Sequence, residues 1–529
     1  MSIRRYKRFL ILVTIVLVCL IAGDLFKNSG HVVNIVGLRA DQGNIHKNKE
    51  DPVIEALLKK KTLTDDEEVE VIHHFGFNPY EIKSISAETL FQLHRTKEID
   101  IGEDYLDWGK VAYVQYATDL DHVCPAVINF NRLRQLGAKA DFLFLYAGNQ
   151  SEVNNESEKE MLKKIESTGA TIKYVKPIEL PSESSYWEKS FTKLYSFSLT
   201  EYDRVVFFDS DSLVLKSMDE LFTLPDSVLA MPVNYINFRD FDKLKLKLEG
   251  AIETPYDRAN ELSDYYAEII EPETGYDDIE WLMKIVYASL PSLNLSIKLL
   301  KSYGLQYQLA SYIMVIHPNK DVFNSLMEAL NHRKKNEYDM DVLNNVFNLE
   351  KIARTHKNYY SLGDQSYIPL IQVIPHNPYA LLSGELRKFH RSHDCYLADP
   401  INLPEIGYDY PELKNPGVKT SPIGYLQDEE SESTTHLEIP YWSWYWDKQV
   451  TTYGWSSNVV LGDAKLVHFS DAPLPKPWTP IPDIRNKLAL DAQIQCEKVT
   501  GGNKLGCEKE VNQWVALYDK YSQLAQQYC

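Results

Sequence analysis

The sequence predicts an α/β fold, a mostly parallel, Rossmann-like sheet flanked by helices, with an N-terminal transmembrane helix ahead of it. Three features lead there. From residue 110 onward, short apolar runs with strand character alternate with amphipathic helical stretches. One of those runs, Val205-Val206-Phe207-Phe208, stops abruptly at Asp209-Ser210-Asp211. At the other end, Arg4, Arg5, Lys7 and Arg8 precede an uncharged run from Phe9 to Gly23. Strand and helix alternating at this spacing is the signature of βαβ units on a parallel sheet.

The N-terminal run is short, since a span takes about 20 residues. Counting Leu25 and Phe26, and letting flanking Lys and Arg snorkel, brings 9–26 within reach of a thin early-secretory bilayer. A cleaved signal peptide is the alternative, and Leu20-Ile21-Ala22-Gly23 matches a cleavage site poorly. The basic flank places residues 1–8 in the cytosol and everything after Lys27 in the lumen. Sequons at Asn149, Asn155 and Asn294 agree with a lumenal body. Of the 6 cysteines, Cys19 falls in the span. The other positions, Cys124, Cys395, Cys496, Cys507 and Cys529, are odd in number for an oxidising compartment. Cys496 and Cys507 flank Gly501-Gly502 and are the expected pair. A formal charge of -19 excludes a nucleic-acid partner, which would require clustered Lys and Arg.

In chain order, 27–105 reads as a polar stem and lead-in with short helices such as Ala87–Arg95. Val111 to Ala117 is a strand, and Pro125 opens a helix with Ala126, Phe130, Leu133 and Leu136 on one face. Phe142–Tyr146 is a second strand, Glu158–Ser167 a helix and Thr171–Val175 a third strand. Phe191, Leu194, Tyr195 and Leu199 form another helical stripe before the buried strand Arg204–Phe208. Regularity lapses between Tyr235 and Tyr307, an insertion rich in Tyr, Asp and Glu that is expected on the acceptor side. Leu309–Ile316 resumes as a strand and Asp321–Asn331 as a helix. Residues 427–435 are an acidic, solvated loop. The main domain spans 106–480, and 481–529 is a C-terminal helical tail.

The chemistry concentrates in two places. Side chains on an extended strand repeat every second residue, so Asp209 and Asp211 are expected on one side, at the C-terminal edge where open α/β sheets bind ligands. Paired carboxylates suit Mn²⁺ or Mg²⁺ with diphosphate oxygens completing the shell. The alternative is a strand-to-turn connection with a helix N-cap. The second place is His468-Phe469-Ser470-Asp471-Ala472-Pro473-Leu474-Pro475-Lys476-Pro477-Trp478. There His468 offers an imidazole to the same metal and Lys476 a point charge to a phosphate.

Together with Thr192-Lys193-Leu194, Asp219-Glu220-Leu221-Phe222 and Tyr338-Asp339-Met340-Asp341-Val342-Leu343-Asn344, these motifs resemble the glycogenin-like retaining glycosyltransferases, glycosyltransferase family 8. Within that family the chain is most similar to the fungal Golgi N-acetylglucosaminyltransferases of the glucose N-acetyltransferase 1 family, over most of residues 70–529. The resemblance implies a GT-A-like fold and transfer of N-acetylglucosamine from a UDP-sugar donor to mannose of N-linked glycans. A glucose or galactose donor, or a non-catalytic glycan-binding scaffold of the same fold, is the alternative. The resemblance assigns Asp209, Asp211 and His468 to the metal, with Asp209 also near the ribose. It places Tyr116, Ala117, Thr118 and Asp119 at the uridine and Lys476 at the diphosphate. Lys193 is implied near the donor sugar and Asp339 beside the transferred one. Two departures stand out: Met340 replaces a Gln, and the spacing from His468 to Lys476 is two residues longer than in glycogenin-like members.

Overall fold

The computed structural model describes residues 77–85, 87–100, 105–148, 155–181, 188–235, 308–347, 368–387, 456–471 and 473–529. The predicted anchor at 9–26, the sequons at Asn149 and Asn294, Cys19, Cys395, the insertion beyond Tyr235 and the acidic loop at 427–435 all lie outside the described residues. Among the described residues no helix is long and apolar enough to cross a membrane.

The strands are β1 (Phe77–Ser84), β2 (Val111–Ala117), β3 (Asp141–Ala147), β4 (Thr171–Val175), β5 (Arg204–Phe208), β6 (Ser212–Val214), β7 (Leu229–Pro232), β8 (Ile313–Ile316), β9 (Ile368–Ile374), β10 (Leu381–Leu382) and β11 (Leu466–His468). Eight of them form one sheet in the order β1-β9-β7-β8-β5-β2-β3-β4. Its pairings are parallel except at β8, which runs antiparallel to β5 and β7. The predicted mostly parallel sheet is therefore present. β2 and β5 are covered on both faces, which is why they read as near-continuous apolar runs. A second sheet, β10-β11-β6, sits beside the first.

Helices α1 (Ala87–Asp100), α2 (Val123–Gln135), α3 (Glu156–Ser167), α4 (Lys320–Leu330), α5 (Asp339–Val346), α6 (Ser457–Asp463), α7 (Pro482–Val499) and α8 (Lys504–Tyr528) pack around these sheets. The stripe expected near 191–199 is a 3₁₀ helix, Ser190–Ser198. Its buried ring and aliphatic positions, Phe191, Leu194 and Phe197, recur every third residue, the 3₁₀ period. β1 and α1, expected in the lead-in, join the body: β1 pairs with β9, and Leu90 and Leu93 are buried.

Buried charges tie the two sheets together. The Tyr113 hydroxyl donates to Asp219 at 2.7 Å. Glu220 accepts from the Tyr379 hydroxyl at 2.7 Å and from Lys465 Nζ at 2.6 Å. The C-terminal segment is built into the same core. α8 buries Val511, Trp514, Leu517, Tyr518, Tyr521 and Leu524 on one face. Cys496 pairs with Cys507, as expected, stapling α7 to α8. Cys124, in the first turn of α2, pairs with Cys529 at a sequence separation of 405.

Cross-linking so distant a pair restricts the unfolded chain strongly. Cys529→Ser is expected to cost about 2–5 kcal/mol, read as a lower urea midpoint, with a steeper slope because the freed unfolded chain exposes more surface.

Candidate functional site

β5 ends at Phe208, and Asp209-Ser210-Asp211 is a turn leading into β6 rather than extended strand. The two carboxylates do converge, but turn geometry brings them together rather than strand alternation. The turn is held from three directions. Asp209 N donates to Tyr312 O at 2.9 Å, and Ser210 Oγ to Tyr116 O at 2.5 Å. Phe469 N donates to Asp211 O at 2.9 Å. Just beyond, Asn129 of α2 donates to Ser212 O at 2.9 Å and accepts from Val214 N at 3.0 Å. A buried amide used on both its atoms fixes that backbone.

Six predicted residues meet here. Lys193, on the 3₁₀ helix, lies 2.8 Å from Asp209 and 2.8 Å from Asp339. Its side chain is 4% exposed. Ser311 Oγ donates to Asp339 at 2.9 Å. On the other side, His468 Nε2 is 3.2 Å from Asp211 and Lys476 Nζ is 2.5 Å from it. Lys476 also donates to Phe469 O at 2.7 Å. The Tyr312 ring stacks on His468, with centroids 4.9 Å apart.

The electrostatics divide the carboxylates. Burial pushes Asp209 up, and although Lys193 pulls it down, Asp211 and Asp339 add to the rise. Burial also opposes ionisation of Asp211, but Lys476 and His468 outweigh it and hold that carboxyl well below its usual range. Asp339 is likewise held low, Lys193 overcoming its burial. Lys193 stays charged because Asp209 and Asp339 outweigh its desolvation.

Two carboxylates and one imidazole, Asp209, Asp211 and His468, offer ligand atoms within 4.8 Å of one another. This mixed oxygen–nitrogen set fits Mn²⁺ or Mg²⁺. His468 Nδ1 is buried with no hydrogen-bond partner among the described residues, so the ring is held by stacking and by what its other nitrogen faces. Three carboxylates facing two ammonium groups leave an excess of negative charge that a divalent cation would reverse.

The remaining predicted residues border this cluster. Lys193 lies over the Tyr116 ring at 6.0 Å. Thr118 and Asp119 follow at the end of β2, where Asp119 caps a 3₁₀ turn, Leu120–His122. His122 Nδ1 contacts Asp119 at 2.5 Å and the ring meets Trp478 edge-on at 4.9 Å. That turn leads directly into α2.

The sequence did not single out the anchor of the His468–Lys476 segment. Asp471, its side chain 0% exposed, accepts from Arg387 Nε at 2.7 Å, from Tyr518 Oη at 2.9 Å and from Ser383 Oγ. A carboxylate in a Pro-rich stretch looks solvated in sequence, and its partners lie on other elements.

No family model matches the chain. A Candida glabrata protein named glucose N-acetyltransferase 1 is 28% identical over 478 residues, covering 85% of this chain and 85% of that protein. Its Saccharomyces cerevisiae namesake is 28% identical over 445 residues, 77% of this chain and 80% of that one. The chain is a homologue of these fungal proteins. A shorter match, 30% identical over 117 residues, joins 21% of this chain to 17% of an Arabidopsis thaliana UDP-glucuronate:xylan alpha-glucuronosyltransferase 1. Among solved structures, an active-site mutant of LgtC aligns at 12% identity and a TM-score of 0.34, over 72% of this chain and 95% of that one.

Removing one member of a buried ion pair costs about 3–5 kcal/mol. Asp471→Ala is expected to lose that much in denaturant unfolding and to weaken Mn²⁺ binding, measured by calorimetry, because His468 and Lys476 are carried on the same segment.

Proposed function

We propose that the chain is a metal-dependent glycosyltransferase of GT-A-like fold that transfers N-acetylglucosamine from UDP-N-acetylglucosamine to mannose of N-linked glycans. In this reading a single N-terminal span holds it in the Golgi membrane with the catalytic domain in the lumen, and transfer retains anomeric configuration. The observation that carries the reading is the meeting of Asp209, Asp211, His468 and Lys476 with the Lys193–Asp339 pair at one sheet edge. The names of the fungal homologues support a transferase handling an N-acetyl sugar, and the donor assignment follows from that likeness.

The chemistry suits the arrangement. Breaking the bond from the sugar to a nucleoside diphosphate leaves new negative charge on the departing phosphate. A divalent cation, when bound by Asp209, Asp211 and His468, supplies Lewis-acid stabilisation of that charge. Lys476 adds a fixed ammonium at the same place, which is electrostatic catalysis in a desolvated setting. Asp339 and Lys193, both ionised and nearly buried, can orient hydroxyls of the transferred sugar as acceptor and donor. Transfer of a bare acetyl group, which the homologues' name taken literally describes, would gain nothing from these charges, because the bond broken is remote from any diphosphate.

The test is UDP release by the detergent-solubilised full chain with Mn²⁺ and each UDP-sugar in turn. UDP-N-acetylglucosamine is expected to turn over fastest. Asp211→Asn is expected to lower the rate by roughly 100-fold or more, since a metal of this kind contributes several kcal/mol. Faster release from UDP-glucose or UDP-galactose would reassign the donor, and no release from any donor would sink the enzymatic reading. Protease added to sealed microsomes should spare the body of the protein; its digestion would reverse the topology.

A further inference from the structure

Beside the Lys193–Asp339 pair, one contact joins a carboxamide to a thioether. Asn234 follows β7 and is 8% exposed. Its Nδ2 donates to Met340 Sδ at 3.7 Å, the only hydrogen bond its side chain makes among the described residues. A thioether is a weak acceptor, and Oδ1 and the second amide hydrogen are not used at all. Buried polar groups are rarely left so underused. Met340 is unusual in a matching way. It is half-buried, yet it does not join the core of the described residues, whereas Met327 of α4 packs against that core. The fold itself satisfies neither side chain.

Position gives the pair a meaning. Met340 follows Asp339 in the first turn of α5, and Asp339 faces Lys193 at 2.8 Å and Ser311 Oγ at 2.9 Å. One stretch of chain, 308–312, ties these residues to the candidate metal set. At its end Tyr312 O accepts from Asp209 N at 2.9 Å, and at its start Gln308 O accepts from Asn234 N at 2.9 Å. Between them the Asn344 carboxamide holds Leu309 through both N and O at 2.9 Å, which fastens α5 to the same stretch. The order along it is metal ligand, then the Asp339–Lys193 pair, then Asn234 with Met340. A nucleotide sugar with its diphosphate at the metal would run in that same order.

We infer that Asn234 and Met340 seat the acetamido group of the transferred sugar and so set the preference for an N-acetylated donor. This rests on the UDP-N-acetylglucosamine reading given above. An acetamido group presents an N–H donor, a carbonyl acceptor and an apolar methyl. The Asn234 carboxamide answers the first two, with Oδ1 as acceptor and Nδ2 as donor. Met340 answers the third, because a thioether chain is apolar and adapts its shape to a small group. A donor with a plain hydroxyl at that carbon leaves the methyl contact and one hydrogen bond unmade.

The test is displacement of a fluorescent UDP derivative from the detergent-solubilised full chain with Mn²⁺, by UDP-N-acetylglucosamine, UDP-glucose and UDP. Wild type is expected to bind UDP-N-acetylglucosamine roughly 10-fold more tightly than UDP-glucose, the worth of a methyl contact with a hydrogen bond. Asn234→Ala and Met340→Gln should each remove most of that preference, while Met340→Leu, which stays apolar, should keep it. UDP, which lacks the sugar, should bind wild type and variants alike. Survival of the preference in either Asn234→Ala or Met340→Gln would overturn the inference. So would an equal loss for every ligand with a lower melting temperature, which would make the pair structural. If wild type binds UDP without preferring UDP-N-acetylglucosamine, the donor reading itself fails, and the inference with it.

Discussion

Three carboxylates, Asp209, Asp211 and Asp339, are drawn into a nearly buried space at the edge of the sheet, and ionised acids do not stay there uncompensated. Lys193 lies between Asp209 and Asp339, and Lys476 with His468 answers Asp211. Much of the surrounding architecture follows from the need to bring these cations in. The 3₁₀ helix that carries Lys193 is covered by buried Phe191, Leu194 and Phe197. The strand that ends in His468, β11, is the central strand of the second sheet. Asp209 keeps a raised pKa within this balance. A carboxyl pushed up by burial and then by neighbouring carboxylates is a ready place for a cation, which offsets both by binding.

The C-terminal helix provides the other half of the constraint. The His468–Lys476 segment contains Pro473 and Pro475 and makes few ladder bonds of its own, so its position depends on side chains from elsewhere. Asp471 collects donors from Ser383, Arg387 and Tyr518, while Phe469 is flanked by the Tyr518 and Tyr521 rings. α8 is therefore structural support for the site and not an appendage. The bond from Cys529 to Cys124 closes the arrangement at the helix that follows β2.

What was legible in the sequence depended on local pattern. β2, β3, β4 and β5 are apolar runs of the right length between polar turns, and their bounds match the expected ones closely. Asp209, Asp211 and His468 were legible as a candidate metal set through their motifs, and the structure brings their potential ligand atoms together. The 3₁₀ character of Ser190–Ser198 was not, because four apolar positions in nine residues fit either period until packing chooses one. Asp471, Tyr312 and Tyr521 were invisible for a different reason. Each acts through partners distant in the chain, such as Arg387 for Asp471 and His468 for Tyr312, and no window of sequence contains such pairs. The Cys124–Cys529 bond is the extreme case, with a separation of 405 residues.

The turn at Asp209-Ser210-Asp211 is where the two sheets are joined, and that explains how a candidate metal set can be assembled from such short pieces. β5 belongs to the large sheet and β6 to the small one, so Asp209 is the exit of the first and Asp211 the entry to the second. β6 pairs antiparallel with β11 in a register that sets Ser212 opposite His468. That register delivers the imidazole to the residue beside Asp211. Because side chains alternate along a strand, a slip of one residue would turn His468 to the opposite face and replace it with Val467 or Phe469. The register is protected against such a slip by buried Leu466, Val467, Leu213 and Val214, and by Phe469 N bonding to Asp211 O at the end of the ladder. The apolar residues of these two short strands thus do chemical work indirectly: they fix the single alignment in which a histidine and an aspartate nearly 260 residues apart in sequence meet at ligand distance.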